Sequence, residues 1–169
     1  MNNTVIIYFS CHHMNTEKLV NGIKDKVEAD IIKLPSDKAI DLSIYDNVIF
    51  ASGIYFGKPA EEIEQIINCL NPQDMKNKNA FYFLTSGSNN KKYLRNALNQ
   101  LRCKGFLSVK GCSINGYDTN GIFKYIGGIS KKHPAQKEIE QCISIYKKHI
   151  KSLTGLISAG NNNEGKNTT

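Results

Sequence analysis

The chain lacks most of what would place it in a membrane, a metal site or a disulfide scaffold. No apolar run approaches the length that spans a bilayer, and no basic stretch precedes a long apolar segment near the N-terminus, so the expected location is cytoplasmic. The five cysteines (Cys11, Cys69, Cys103, Cys112 and Cys142) are odd in number, widely spaced and free of any C-x-x-C. Neither a disulfide framework nor a zinc knuckle is expected from them. Four read as buried small apolar residues, whereas Cys11 lies in a loop ahead of a helix, where it is either an activated thiol or a side chain turned inward. His12 and His13 have no third and fourth ligand at a suitable spacing, so no metal is expected. The nucleotide fingerprints G-x-G-x-x-G and G-x-x-x-x-G-K-[ST] are absent, and there is no internal repeat.

What is present is an ordinary globular composition with an uneven charge. The 169 residues, 40% hydrophobic and 22% charged, suit one domain, here residues 1–153, with a tail from 154 to 169 expected to be mobile. Residues 1–90 carry 8 basic and 11 acidic side chains, net −3; residues 91–153 carry 13 and 3, net +10. A basic half attracts an anionic cofactor, a nucleic acid or an acidic protein, or is simply a solvated lysine face. No aromatic interleaving accompanies Lys91-Lys92 or Lys131-Lys132, which argues against nucleic acid.

Strand and helix patterns alternate. Apolar runs at Val5–Phe9, Ala29–Leu34, Asp46–Ala51, Asn79–Leu84 and Ser108–Ile114 read as strands. Helical spacing runs over Thr16–Val27, Ala60–Leu70, Lys91–Arg102 and Ala135–Ile150, with Pro59 suited to a first helical turn. Strands that are continuously apolar have both faces covered. The expected fold is therefore an α/β, doubly wound, five-stranded parallel sheet with helices on both faces. Its ligand belongs beyond the carboxyl ends of the strands, at the topological switch point.

The segments at those ends are distinctive. After the first strand comes Ser10-Cys11-His12-His13-Met14-Asn15-Thr16. Hydroxyls and an amide at a helix N-terminus suit a phosphate-sized anion; alternatively Asn15 and Thr16 only cap the helix. After the third strand comes Ser52-Gly53-Ile54-Tyr55-Phe56-Gly57-Lys58, read as a loop whose aromatics stack on a planar ring, seal the sheet or meet a partner. Thr85-Ser86-Gly87-Ser88 follows the fourth strand; Gly116-Tyr117-Asp118-Thr119 and Gly127-Gly128 follow the fifth.

Taken in order, these words resemble the flavodoxin-like family, in its long single-domain FMN-binding form, over residues 4 to about 150. The resemblance implies FMN as cofactor, with Ser10, His12, Asn15 and Thr16 holding its phosphate. It places Met14 where that family often has glycine. Ser52, Gly53, Ile54, Tyr55, Phe56 and Gly57 would line the isoalloxazine, Thr85, Ser86, Gly87 and Ser88 would close its other side, and Tyr117 and Asp118 would lie near its rim. It implies electron transfer through non-covalent FMN, with no catalytic residue of the chain's own. Members of that family that carry electrons are acidic around the flavin, whereas this chain is basic. The expected partner is therefore an acidic redox protein, with a small FMN-dependent reductase or a binding module that has lost FMN as alternatives. Two other readings fail on residues. A strand-one cysteine phosphatase needs an Arg where Glu17 stands, and a receiver domain needs acidic residues where Phe9-Ser10 stands.

Overall fold

The structure, a computed structural model, describes residues 3–37, 39–117, 119 and 129–161. Five strands run parallel: β1 (Thr4–Phe9), β2 (Asp30–Lys33), β3 (Asn47–Tyr55), β5 (Asn79–Ser86) and β6 (Ser108–Asn115), in the order β2-β1-β3-β5-β6. A two-residue strand, β4 (Lys58–Pro59), pairs antiparallel with the end of β3. The helices are α1 (Asn15–Lys24), α2 (Glu61–Cys69), a single turn α3 (Pro72–Met75), α4 (Lys91–Cys103) and α5 (Gln136–Asn161).

Successive strand side chains point to opposite faces, so each apolar strand feeds two cores. On one face Ile6, Ile49, Phe81 and Phe83 are buried with Leu19 and Ile23 of α1 and Ile139, Ile143 and Tyr146 of α5. On the other, Val5, Ile7, Phe50, Tyr82 and Leu84 are buried with Ile63 and Ile67 of α2 and Ala97 and Leu101 of α4. The doubly wound arrangement read from the sequence is the one observed. Chain order reverses direction across the sheet between β1 and β3, which puts the switch point at their carboxyl ends.

Several details depart from the sequence reading. Ser52 to Tyr55, taken as loop, continue β3, because the chain turns back only after Tyr55 to form β4. Pro59 lies in β4, not in the first turn of α2. The last helix, expected to end at Ile150, continues to Asn161, so the first residues assigned to the tail are helical. The rest of that tail, 162–169, lies outside the described residues.

The cysteines are the largest correction. Cys112 on β6 and Cys142 on α5 form a disulfide, with Cα atoms 5.7 Å apart, in the core of one face. Packing α5 onto β6 creates this pair across thirty positions of chain, which spacing alone does not reveal. Cys69 and Cys103 are exposed because each is the last residue of its helix, and Cys11 is exposed as well.

Candidate functional site

A cleft opens at the carboxyl ends of β1, β3 and β5. It is lined by His12, His13, Asn15, Thr16, Gly53, Ile54, Tyr55, Thr85, Ser86, Gly87, Tyr117 and Thr119. The first wall is the turn between β1 and α1. It winds through a 3-10 turn, His12–Met14, in which His13 (φ 55°) and Met14 (φ 52°) adopt left-handed backbone. That region costs an L side chain roughly 1–2 kcal/mol. Met14 therefore occupies a conformation that glycine would take without penalty.

Hydrogen bonds hold this turn in place. The Glu17 N–H donates to Ser10 Oγ at 3.2 Å, satisfying one of the helix donors that lack intrahelical acceptors. The buried hydroxyls of Thr16 and Thr85 lie 3.0 Å apart and join the turn to β5. Asn15 grips the Tyr117 backbone both ways: Nδ2 donates to its carbonyl at 2.7 Å, and Oδ1 accepts from its N–H at 3.2 Å. Gly116 permits this approach, since a Cβ there would stand 2.8 Å from Asn15 Nδ2. His13 packs against Tyr117 with the rings tilted and their centroids 4.3 Å apart, and its Nε2 lies 2.8 Å from Thr119 Oγ1. The side chains of Ser10, Asn15 and Thr16 thus shape the turn.

The second wall is the β3–β4 hairpin. Ser52 is buried beneath it, with Oγ accepting from the Ala60 N–H (2.9 Å) and donating to the Gly53 carbonyl (2.7 Å). Tyr55 folds back over Gly53, where a Cβ would lie 3.0 Å from its hydroxyl. That hydroxyl accepts the Cys11 N–H at 3.4 Å, and the ring packs edge-on against Phe9 at 6.1 Å. Burial, as the largest cause, pushes the Tyr55 hydroxyl up to about 12, so it stays protonated and neutral beside the turn. Phe56, at φ 50°, is fully exposed at the hairpin tip with Gly57, and neither lines the cleft.

The third wall is the end of β5, Thr85-Ser86-Gly87, with Ser88 just outside the lining. Asp118 and the Gly127-Gly128 pair lie outside the described residues. His13, read from the sequence with His12 as a further contact to the phosphate, lines the cleft. Thr119 also lines it and was given no role from the sequence; its signal was position, two residues past Tyr117. Every non-glycine residue with positive φ among the described residues (His13, Met14, Phe56, Asn89 and Ser130) lies in a segment at this end of the sheet or bonded to one. Backbone strain of this kind gathers where a site dictates geometry. Among the described residues no three His, Cys, Asp or Glu side chains converge as metal ligands do, and no helix is long and apolar enough to cross a membrane.

Fold and site together define a doubly wound α/β protein with a polar turn and a cleft at its switch point. A flavodoxin-domain family model matches residues 5–111. The chain belongs to the flavodoxin family. It is 35% identical, over 150 residues, to an uncharacterized protein of Methanocaldococcus jannaschii, covering 88% of this chain and 98% of that one. Among solved structures it is similar to the two-electron reduced flavodoxin of Megasphaera elsdenii (TM-score 0.58, 13% identity, 82% of this chain and 97% of that). It is also similar to the Trp repressor binding protein of Bacillus subtilis (TM-score 0.59, 15% identity, 83% and 98%).

Proposed function

We propose that this protein binds FMN without a covalent bond and passes electrons through it. The observation that carries the reading is the pairing, at the switch point, of a strained anion turn with an aromatic hairpin facing Ser86-Gly87. The donor set suits a phosphate. The turn precedes α1, whose N-terminal dipole favours an anion, and its Cys11 N–H already serves an oxygen, the Tyr55 hydroxyl. The Tyr55 hydroxyl thus stands at a donor that a phosphate would use. Tyr55 would yield the Cys11 N–H to the phosphate and offer its ring to the isoalloxazine. Ser86 and Gly87 would line the cleft across from it, and His12 and His13 would lie beside the phosphate. FMN, when bound, supplies the one- and two-electron chemistry, while the chain positions it and restricts water.

The Tyr55 hydroxyl already seated on the Cys11 N–H favours a second reading, a flavodoxin-fold module that has lost FMN. A fluorescence titration separates them. FMN emission quenched to a one-to-one endpoint supports the first. In a Tyr55→Ala variant the turn is unblocked but the ring contact is gone, so release of FMN should quicken more than its capture. No quenching at any protein concentration supports the second.

A further inference from the structure

Positive charge collects along one edge of the cleft. α4 starts there, directly after the Thr85–Ser88 segment, and its first two residues are Lys91 and Lys92, with Arg95 about one turn on. A second segment reaches the same edge: Ser130 Oγ donates to the Gly87 carbonyl at 3.3 Å, which sets Lys131 and Lys132 beside it. All five cations are exposed. The carboxylates nearest in sequence are committed elsewhere. Glu138 accepts from the Ala135 N–H at 2.8 Å and pairs with His133 at 2.6 Å, and Glu140 pairs with Lys26 at 3.6 Å. None of the ion pairs formed among the described residues involves the five.

This arrangement works against the fold's own stability. Lysines at a helix start oppose its dipole, and like charges around Gly87 repel. A local rule broken this way marks a surface arranged for something else. The opposite edge has the reverse sign: α2 opens with Glu61, Glu62 and Glu64. A nucleic-acid strand crossing the cleft would meet those glutamates. Tyr93, the aromatic among the cations, is partly buried against the core rather than free to stack on bases. A globular protein with a bounded acidic patch fits both edges, because the sign change orients it over the cleft.

We propose that Lys91, Lys92, Arg95, Lys131 and Lys132 dock the carboxylate-rich face of a redox partner protein beside the cleft. The inference rests on the redox reading above, but its test does not. The probe is a small acidic [2Fe–2S] protein, with association followed on a biosensor at about 0.01 M and about 0.15 M ionic strength. The wild type should associate roughly tenfold faster at the lower salt. A Lys91→Glu/Lys131→Glu variant should lose that enhancement. A Lys147→Glu/Lys148→Glu variant, with the same change in net charge on α5, should keep it. Circular dichroism melts confirm that both variants fold. Equal behaviour of the two variants would overturn the proposal, as would association that does not depend on salt. Displacement of the probe by duplex DNA, in a way that needs Lys91 and Lys131, would overturn it in favour of nucleic acid. Absorbance of the same samples shows whether flavin is held, so loss of the redox reading is seen separately from loss of the docking site.

Discussion

Helices α2 and α4 start at the same end of the sheet and pack on the same face, yet they begin with opposite charges. α2 has Glu61, Glu62 and Glu64 in its first turn, where carboxylates favour the helix dipole, and Glu64 also pairs with Lys58 at 3.4 Å. α4 has Lys91 and Lys92 and no acid, and it relies for capping on Asn90, whose Oδ1 accepts the Lys92 N–H at 2.9 Å. Beneath those turns the two are alike: Ile63 and Ile67 of one, and Ala97 and Leu101 of the other, are buried in a single cluster. Packing places the helices, while surface charge separates their roles. The α2 edge follows what a stable helix prefers, and the α4 edge departs from it.

The largest effect that breaks the symmetry comes from the disulfide, because only the basic half is cross-linked. A Cys112→Ala/Cys142→Ala variant should lose roughly 3 to 4 kcal/mol of stability, from the loop the bond closes. Urea unfolding measures this, and non-reducing peptide mapping shows the bond directly. An unchanged midpoint would mean that β6 and α5 hold together without it.

Exchanging the charges sharpens the comparison at smaller scale. Lys91→Glu/Lys92→Glu should stabilise the protein by about 0.3–1 kcal/mol per residue at low salt, and Glu61→Lys/Glu62→Lys should destabilise it by a similar amount. The first variant would thus be more stable and, by the docking proposal, less able to bind its partner. If both exchanges destabilise, the dipole argument for a sacrificed α4 edge is wrong.

The smallest effect is on pH. His149 on α5 is buried, and burial first, then Lys110, hold its imidazole below the ordinary value of 6.5. The folded protein keeps it neutral while the unfolded chain takes up a proton. Its contribution is therefore whole above about pH 6.5 and declines as pH falls toward the folded value. Thermal midpoints should fall on acidification below that pH, and a His149→Gln variant should flatten the decline. An identical slope in the variant would assign the acid sensitivity elsewhere.

The layer order and sheet topology were legible because each strand is apolar on both faces and each helix has a clear stripe, as with Ile63 and Ile67 or Leu98 and Leu101. The cleft was legible as a set of strand-end words. Less visible was how those words are used. Asn15 read as a phosphate donor, yet its side chain is spent on the Tyr117 backbone, a partner a hundred residues away in sequence. The Tyr55 fold-back depends on a hairpin that two residues of β4 create. The positive φ of Met14 follows from the turn's path, against the preference of the residue itself. Long-range pairings of this kind leave no periodic trace in sequence.

The central claim is that the turn at Ser10–Thr16 and the Tyr55 hairpin form a flavin site. The most direct test is the visible absorbance of the protein after incubation with FMN and gel filtration. Oxidised-flavin bands should co-elute with the protein at one FMN per chain. A colourless protein peak, with all FMN in the small-molecule fraction, would contradict it.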